Sequence, residues 1–380
     1  MDHHERFVRA MQGEELDPTP AGVTGGGIYP LAEARLCGAL GLAVQDHEGV
    51  KLALGAVDRW AAPVYAGPVL EEAPFQHTAA FPHARVVRSI WGSWEGTESY
   101  GEEFYHPLAD AETVADVDAH RWPSPDVFDY DALHWFTDPV GESYSPAEFA
   151  RLRAGFARFI GGWSPIFSRI MDLCGMETGL LNMAARPDLI EAMTVRIGDF
   201  LEGYYRRMAE ACRGYADVVV FGDDFAAQNG LLLRPDSWSR HFLPTWKRLF
   251  AVAHDNGMLA LMHSCGAVRD VLPGLVDAGL DILEVVQVRA TGMDPAELKR
   301  EFGAHMGFYG GVDVQELLPY GRPEQVRAEA RRLIDTLGRD GRFVLAPSHF
   351  IMDDVPPENV LSLYEEAGGC RRPDPAPAGG

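Results

Sequence analysis

Apolar runs and helical spacing alternate regularly along the chain from about residue 150 onwards. Continuous apolar runs of this length are typical of strands buried on both faces. Between them, apolar residues recur at the spacing of one helix face. The pattern predicts strands ending at residue 161 and spanning 216–221, 258–262, 281–286, 305–309 and 342–346. It predicts helices over 165–184, 187–214, 235–256, 267–278, 294–302, 313–318, 323–337 and 356–367.

Before residue 150 the pattern predicts helices over 3–12, 31–40 and 47–60, with short strands at 63–66 and 85–91. Eight strand–helix units predict an α/β fold, a single (β/α)₈ TIM barrel with an elaborated N-terminal region, in one domain over residues 1–368. An open doubly wound sheet is the alternative, but the chain has neither a dinucleotide fingerprint nor a linker. The glycine-rich residues 21–29 fit neither GxGxxG nor a P-loop, so we predict a plain loop there.

Residues 92–145 are aromatic, acidic and irregular. They predict either an elaborated connection whose aromatic side chains pack inward, or a lid or wall of a substrate site. Residues 369–380, rich in Pro, Ala and Gly, predict a disordered tail. The aromatic residues of the first stretch are Trp94, Tyr100, Phe104, Tyr105, Trp122, Phe128, Tyr130, Trp135 and Phe136.

The net charge of the chain limits the classes of partner that we expect it to bind. Lys and Arg number 33 against 56 Asp and Glu, which gives a formal net charge of −23. We therefore expect no nucleic-acid partner and no anionic membrane partner. No long apolar run predicts a membrane span, and the N-terminal residues lack the apolar core of a signal peptide. The oligomeric state is left open, with a homodimer among the options.

The cysteines indicate the redox compartment. There are five, an odd number, and they are scattered along the chain. That distribution favours reduced thiols in the cytoplasm over a disulfide framework. They are Cys37, Cys174, Cys212, Cys265 and Cys370.

One short stretch, His263-Ser264-Cys265-Gly266, carries the most informative chemistry. It follows the apolar run 257–261, so His263 and Cys265 lie where a strand ends and point to the same side. An imidazole and a thiolate so placed can bind one metal ion, and both suit zinc. Buried Cys and His are more often simply packed, so the pair alone is a weak signal.

Other predicted strands end in groups of the same kind. Asp223 and Asp224 follow strand 216–221, Glu284 lies within strand 281–286, and His349 follows strand 342–346. In a barrel these ends share one mouth, where active sites are built. His349 is the predicted third zinc ligand, which would leave an open fourth position. Asp223, Asp224 or Glu284 could fill that position or orient a ligand, and a metal-free acid–base or substrate-binding role for His349 stays open.

Six stretches of the chain together carry a family resemblance: Gly161–Pro165, Phe221–Asp224, His263–Gly266, Gly310–Asp313, Ala346–His349 and Val355–Val360. They resemble the uroporphyrinogen decarboxylase superfamily, whose members are (β/α)₈ barrels. The resemblance covers about residues 150–368 well and the first 150 poorly.

The resemblance implies one of two chemistries. True decarboxylases carry an N-terminal Arg-Gln-Ala-Gly-Arg segment that binds substrate carboxylates, and the equivalent region here, residues 19–24, lacks it. The other branch comprises zinc methyltransferases that serve corrinoid proteins, with an H-x-C pair and a later Cys as ligands. His263 and Cys265 match the pair, whereas His349 stands where the later Cys would be and also aligns with a decarboxylase active-site His.

These observations predict an enzyme that acts on a small-molecule substrate. The leading hypothesis is zinc-dependent methyl transfer between a corrinoid, carried by a partner protein, or a methylated small molecule, and a thiol or similar acceptor. Asp223, Asp224, Glu284 and His349 are the other candidate catalytic residues. One alternative is a metal-free decarboxylase of a uroporphyrinogen-like substrate. A second alternative is a protein that binds a corrinoid or tetrapyrrole without catalysis.

Overall fold

The computed structural model describes residues 1–74, 85–96 and 103–370 of the chain. Tyr100 of the aromatic region and residues 371–380 of the predicted tail lie outside the described part. The side chain of Phe104 also lies outside it. The described strands are β1 (Asp58–Tyr65), β2 (Glu72–Pro74), β3 (Arg85–Arg88), β4 (Trp94–Gly96), β5 (Glu103–Tyr105), β6 (Phe128–His134), β7 (Ala157–Gly161), β8 (Val218–Gly222), β9 (Ala226–Ala227), β10 (Gly230–Leu231), β11 (Leu259–His263), β12 (Ile282–Val286), β13 (Gly307–Val312) and β14 (Phe343–Pro347).

The described α-helices flank these strands, and none of them is both long enough and apolar enough to cross a membrane. They are α1 (His3–Met11), α2 (Pro30–Leu40), α3 (His47–Leu54), α4 (Val114–Ala119), α5 (Pro146–Leu152), α6 (Phe167–Cys174), α7 (Met176–Ala185), α8 (Pro187–Ala211), α9 (Pro235–Asp255), α10 (Leu272–Ala278), α11 (Pro295–Phe302), α12 (Leu317–Tyr320), α13 (Pro323–Leu337) and α14 (Pro357–Glu366).

Seven parallel strands, β1, β7, β8, β11, β12, β13 and β14, lie side by side in chain order. The eighth position is filled by a short extended segment around Ala21, which bridges to Leu345 in β14 on one side and to Ala56, just before β1, on the other. The Gly22 N–H donates to the Leu345 carbonyl at 2.9 Å, and the Val57 N–H donates to the Ala21 carbonyl at 2.8 Å. The ring is thereby closed, and the predicted TIM barrel is confirmed.

Side chains that alternate along the barrel strands contribute to two separate hydrophobic cores. Val218 and Val220 belong to a cluster inside the barrel that includes Trp60, Phe159 and Tyr309. Val219 and Phe221, one residue out of phase, belong to the larger core between strands and helices. Because successive side chains of a strand point to opposite faces, a strand buried on both faces must be apolar throughout, as the sequence of β8 is.

Four predicted elements in the first 100 residues differ from the structure. The helix predicted over 47–60 ends at Leu54, because Gly55 adopts a left-handed conformation (φ 71°) that caps α3. Trp60 therefore lies in β1, which begins five residues before the predicted strand 63–66. The strand predicted at 85–91 is β3, which belongs to a separate antiparallel sheet with β2, β4 and β5 rather than to the barrel. The plain loop predicted at 21–29 is wrong for Ala21 and Gly22, which form the eighth barrel position.

Two further differences concern single elements. The helix predicted over 165–184 is two helices, α6 and α7, separated at Gly175 (φ 78°). Strand β6, within the aromatic region 92–145, pairs antiparallel with the second half of β1 and places Leu133 opposite Pro63. Part of that region is therefore an extension of the barrel sheet.

A buried lysine next to β1 gives a testable effect on stability. Lys51 is 5% exposed, and its Nζ donates to Thr137 Oγ1 at 3.4 Å. Burial lowers the pKa of Lys51 to about 8, although the Asp58 carboxylate opposes this shift. We expect Lys51→Met to raise the free energy of unfolding at pH 7 by about 1–3 kcal/mol, because the variant no longer buries a charge.

The pH dependence of stability provides the check. An unfolded lysine titrates near 10.5, so between about pH 8 and 10.5 the unfolded chain binds more protons than the folded chain. The contribution of Lys51 to the free energy of unfolding therefore rises with pH over that window. The Lys51→Met variant should lack this rise. Urea unfolding from pH 7 to 10 measures both effects, with the exposed Lys247→Met as the control. A Lys51→Met protein that is less stable at pH 7 and keeps the wild-type pH slope would contradict the prediction.

Candidate metal centre

Three neighbouring barrel strands bring the candidate ligands together. His263, the last residue of β11, is in register with Gly222 of β8 on one side and with Glu284 of β12 on the other. Asp224 follows β8 by two residues, and Cys265 follows β11 by two residues. Because parallel strands end at the same edge, their side chains meet at the mouth of the barrel.

Asp224, His263 and Cys265 form a compact group. One potential ligand atom from each residue lies within 4.8 Å of the other two. The His263 Nε2 and the Cys265 Sγ are 3.6 Å apart. Asp224 is held in place by its Oδ1, which accepts a 2.8 Å hydrogen bond from the Cys265 N–H. The group is therefore fixed by the backbone of the same loop that carries Cys265.

Glu284 supports His263 from the opposite side. Its carboxylate is 1% exposed, with Oε2 3.5 Å from the His263 Nδ1. The other oxygen, Oε1, accepts a 2.9 Å hydrogen bond from the Gly25 N–H. Burial disfavours a charge on His263, but the nearby Cys265 and Glu284 together raise its pKa well above the usual range. The ring is thus held between a thiol and a carboxylate, one at each nitrogen.

The structure does not bring Asp223 into this group. Both of its carboxylate oxygens accept hydrogen bonds from backbone N–H groups at the start of α6, those of Ile166, Phe167 and Ser168, at 2.7–3.0 Å. Burial raises the pKa of Asp223 to about 6, and these donors limit the shift. Asp223 therefore anchors α6 to the end of β8, a role that its position beside Asp224 in the sequence does not distinguish.

His349 lies near the group without belonging to it. It lines the same cavity as Asp224, His263 and Glu284, but it is not among the three residues whose ligand atoms cluster within 4.8 Å. Burial, followed by the charge of His263, lowers the pKa of His349. Its role as the third zinc ligand stays a prediction.

The group opens into a cavity of about 570 Å³ at the barrel mouth. Trp135 and Phe136 come from the aromatic region 92–145, so two of its rings line a wall of this cavity. The principal aromatic lining residues are Tyr29, Trp60, Trp135, Phe136, Trp163 and Phe350.

Sequence patterns missed the contact that holds Glu284 at this site. The Gly25 N–H holds Glu284, although the glycine-rich segment was predicted to be a plain loop. A side chain at Gly25 would collide with Phe350, since a Cβ would lie 2.1 Å from that ring. Gln287 accepts a 2.8 Å hydrogen bond from the Gly266 N–H and so fixes the loop after Cys265. The three consecutive glycines at 25–27 were the signal in the sequence that the backbone approaches neighbouring groups closely there.

The donor set fits zinc. An imidazole nitrogen, a thiolate sulfur and a carboxylate oxygen are the zinc ligands that proteins use. Tetrahedral coordination at zinc bond lengths places an imidazole nitrogen and a sulfur about 3.5 Å apart. The observed Nε2–Sγ separation of 3.6 Å agrees with this geometry. A carboxylate on the second ring nitrogen is the usual support of a zinc-bound histidine.

Comparison with known proteins agrees with this arrangement of strands. A family model described as "Uroporphyrinogen decarboxylase (URO-D)" matches residues 151–369, more than half of the chain. The chain belongs to the uroporphyrinogen decarboxylase family. The resemblance predicted from the sequence stretches is thereby confirmed.

Relatives in and around the uroporphyrinogen decarboxylase family include enzymes of two kinds. The methylcobamide:CoM methyltransferase MtaA of Methanosarcina barkeri is 26% identical over 204 residues, 54% of this chain and 56% of that enzyme. The chain thus spans about half the length of this relative. The uroporphyrinogen decarboxylase of Thioalkalivibrio sulfidiphilus is 24% identical over 386 residues, 96% of this chain and 97% of that enzyme.

A solved structure confirms the fold across nearly the whole chain. It is a methyltransferase from Methanosarcina mazei, with a TM-score of 0.64 and 18% identity, covering 97% of this chain and 98% of that one. At this identity the similarity concerns the barrel architecture alone. The family's relatives are thus methyltransferases and decarboxylases, and the choice between them depends on the site.

Proposed function

We propose that this protein is a zinc-dependent methyltransferase that moves a methyl group between a corrinoid on a partner protein and a small thiol. The observation that supports this most is the group of Asp224, His263 and Cys265, of which Asp224 and His263 line an open cavity. His263 and Cys265 would hold the metal, with Asp224 or His349 as the third ligand. Zinc bound there would lower the pKa of a coordinated thiol and keep it as a thiolate at neutral pH.

The residues around the ligands prepare the site. The Glu284 carboxylate lies 3.5 Å from the Nδ1 of His263, which leaves Nε2 free to bind the metal. The aromatic lining would lower the dielectric constant around the sulfur nucleophile, which strengthens its charge interactions. In the transfer, the sulfur electron pair forms the new S–C bond, while the carbon–cobalt bond breaks and its electron pair stays on cobalt. The barrel mouth, where Trp163 and Phe136 are each 55% exposed, would receive the corrinoid.

Decarboxylation of a uroporphyrinogen-like substrate is the second candidate. The relative that aligns along 96% of this chain carries that name, which favours it. The substrate of such an enzyme carries several carboxylates, which require cationic or N–H partners. Among the described residues that line the cavity, none is Lys or Arg. We therefore favour methyl transfer.

A two-substrate assay tests the proposal. Zinc-loaded protein is mixed with methylcobalamin and 2-mercaptoethanol, and separately with uroporphyrinogen. We expect loss of the methylcobalamin spectrum, formation of the S-methyl product by mass spectrometry, and no loss of CO₂ from uroporphyrinogen. Decarboxylation without any thiol methylation would overturn the proposal. Chelator-treated protein is the control for non-enzymatic transfer.

A further inference from the structure

Four neighbouring aromatic rings line the cavity. Trp60 and Trp135 lie 5.7 Å apart between ring centroids, Trp135 and Phe136 5.2 Å, and Phe136 and Phe350 6.1 Å. These four rings therefore form one continuous aromatic wall. Aromatic rings attract cations through their negative faces, most strongly where water is excluded.

The same cavity offers no cationic side chain to an anion. None of the described lining residues is Lys or Arg. Arg59, next to Trp60 in β1, points the other way and binds Glu48 with two nitrogens at 2.9–3.0 Å. Arg169, beyond Trp163, is engaged by Glu95 at 3.3 Å and by Asp172 at 2.9 Å.

When a metal binds the neutral form of His263, negative charge dominates the base of the cavity. Asp224 and Glu284 both line it, and Cys265 adds a thiolate when a metal is bound. A substrate thiolate would add a fourth negative charge, so these groups together exceed the charge of a zinc dication. Coulomb interactions over a few ångströms are strong in a partly buried site. A second negative group on the substrate would therefore be repelled, and a positive group would be attracted.

We infer that the thiol substrate carries a cationic end, a substituted ammonium group, which packs against the aromatic wall while its sulfur binds the metal. This inference rests on the proposed methyl transfer to a thiol and adds the chemical class of that thiol. The aromatic lining begins close to the metal ligands, since the Trp163 ring centroid lies 6.2 Å from that of His263. The four rings of the aromatic wall line the same cavity as Trp163 and His263. The cavity of about 570 Å³ accommodates a ligand of this size.

Three thiols with the same two-carbon spacing test the inference. Thiocholine carries a quaternary ammonium group, 3,3-dimethylbutane-1-thiol has the same shape without charge, and 2-mercaptoethanesulfonate is anionic. Isothermal titration calorimetry of zinc-loaded protein measures their affinities. We expect thiocholine to bind about tenfold more tightly than its neutral isostere and about 100-fold more tightly than the sulfonate. Equal affinity for thiocholine and its isostere, or tighter binding of the sulfonate, would overturn the inference.

A charge placed on the wall provides a matched variant. Phe136 lines the cavity and is 55% exposed, so Phe136→Arg introduces a cation there without burying it fully. We expect this variant to reduce the preference for thiocholine over the sulfonate at least about tenfold. Val140→Arg, fully exposed four residues away and not a lining residue, adds the same charge outside the cavity and should keep the wild-type preference. An unchanged preference in Phe136→Arg counts against the aromatic wall as the cation site.

An experiment on metal-free protein distinguishes failure of this inference from failure of the proposed function. If none of the three thiols binds, methyl transfer to a thiol fails as the function. The affinity of metal-free Cys265→Ser protein for choline and for 3,3-dimethylbutan-1-ol, followed by tryptophan fluorescence, still decides whether the wall prefers a cation. Tighter choline binding supports the cation site, and equal or weaker choline binding rejects it.

Discussion

Zinc content is expected to fall from about one ion per chain to about a tenth or less in His263→Ala and in Cys265→Ser, because each removes one of few protein ligands. Methyl transfer should fall with the metal. The measurement is elemental analysis of purified protein after dialysis, combined with unfolding curves to show that the variants remain folded. Cys370→Ser, another partly exposed cysteine, is the control and should keep its metal. A wild-type protein that binds no zinc would exclude the proposed function.

The third ligand can be identified in the same experiment. Asp224 has a carboxylate oxygen within 4.8 Å of the His263 and Cys265 ligand atoms, whereas His349 only shares the cavity. We therefore expect Asp224→Asn to weaken zinc binding about 100-fold and His349→Ala to weaken it less than about tenfold. Asparagine can still accept the hydrogen bond from the Cys265 N–H, so the loop should stay in place. The reverse order would establish His349 as the ligand, as the sequence predicted.

The second large effect concerns stability. Gly22 lies where the barrel closes, and a Cβ there would be 1.9 Å from Tyr309 Oη and 2.7 Å from Asp58 Oδ1. Both neighbours are fully buried, so neither can move into solvent. We expect Gly22→Ala to lower the free energy of unfolding by about 3 kcal/mol or more, through overpacking of the closing segment.

A second glycine in the chain gives the control for this substitution. Gly38 lies inside α2, and a Cβ there would meet nothing within 4 Å. Gly38→Ala should therefore raise stability by about 0.5–1 kcal/mol, the usual gain from replacing a helical glycine. Urea denaturation of both variants against the wild type measures the difference. A Gly22→Ala protein within about 0.5 kcal/mol of the wild type would mean that the closing segment is not tightly packed.

The sequence predicted the second half of the barrel well because β7, β8 and β11 to β14 are buried on both faces. Such strands are largely apolar, with Arg158 in β7 and Glu284 in β12 among the exceptions, and the pattern is visible without a structure. The same rule located His263 at a strand end. The eighth barrel position could not be predicted in this way, because Ala21 has only isolated bridges to its two neighbours and no apolar run around it.

Two adjacent acidic residues show which part of the site could not be predicted from the sequence. Asp223 and Asp224 have the same chemistry and consecutive positions, yet one caps α6 and the other faces His263 and Cys265. The direction of each side chain depends on how α6 packs against β8, which no local pattern specifies. Glu284 was placed correctly on β12, but its partner Gly25 comes from 259 residues earlier in the chain.

The closure of the barrel has a consequence for biosynthesis. The seam includes a hydrogen bond from the Thr24 hydroxyl to the Pro347 carbonyl, two residues that are 323 positions apart. At translation rates of about 5–20 residues per second, roughly 15 to 65 s pass between the synthesis of these two partners. The closing segment around Thr24 is therefore synthesised well before β14, its partner at the seam. The hydrogen bond from the Gly25 N–H to Glu284 forms only if this early segment is still unpaired when β12 and β14 fold.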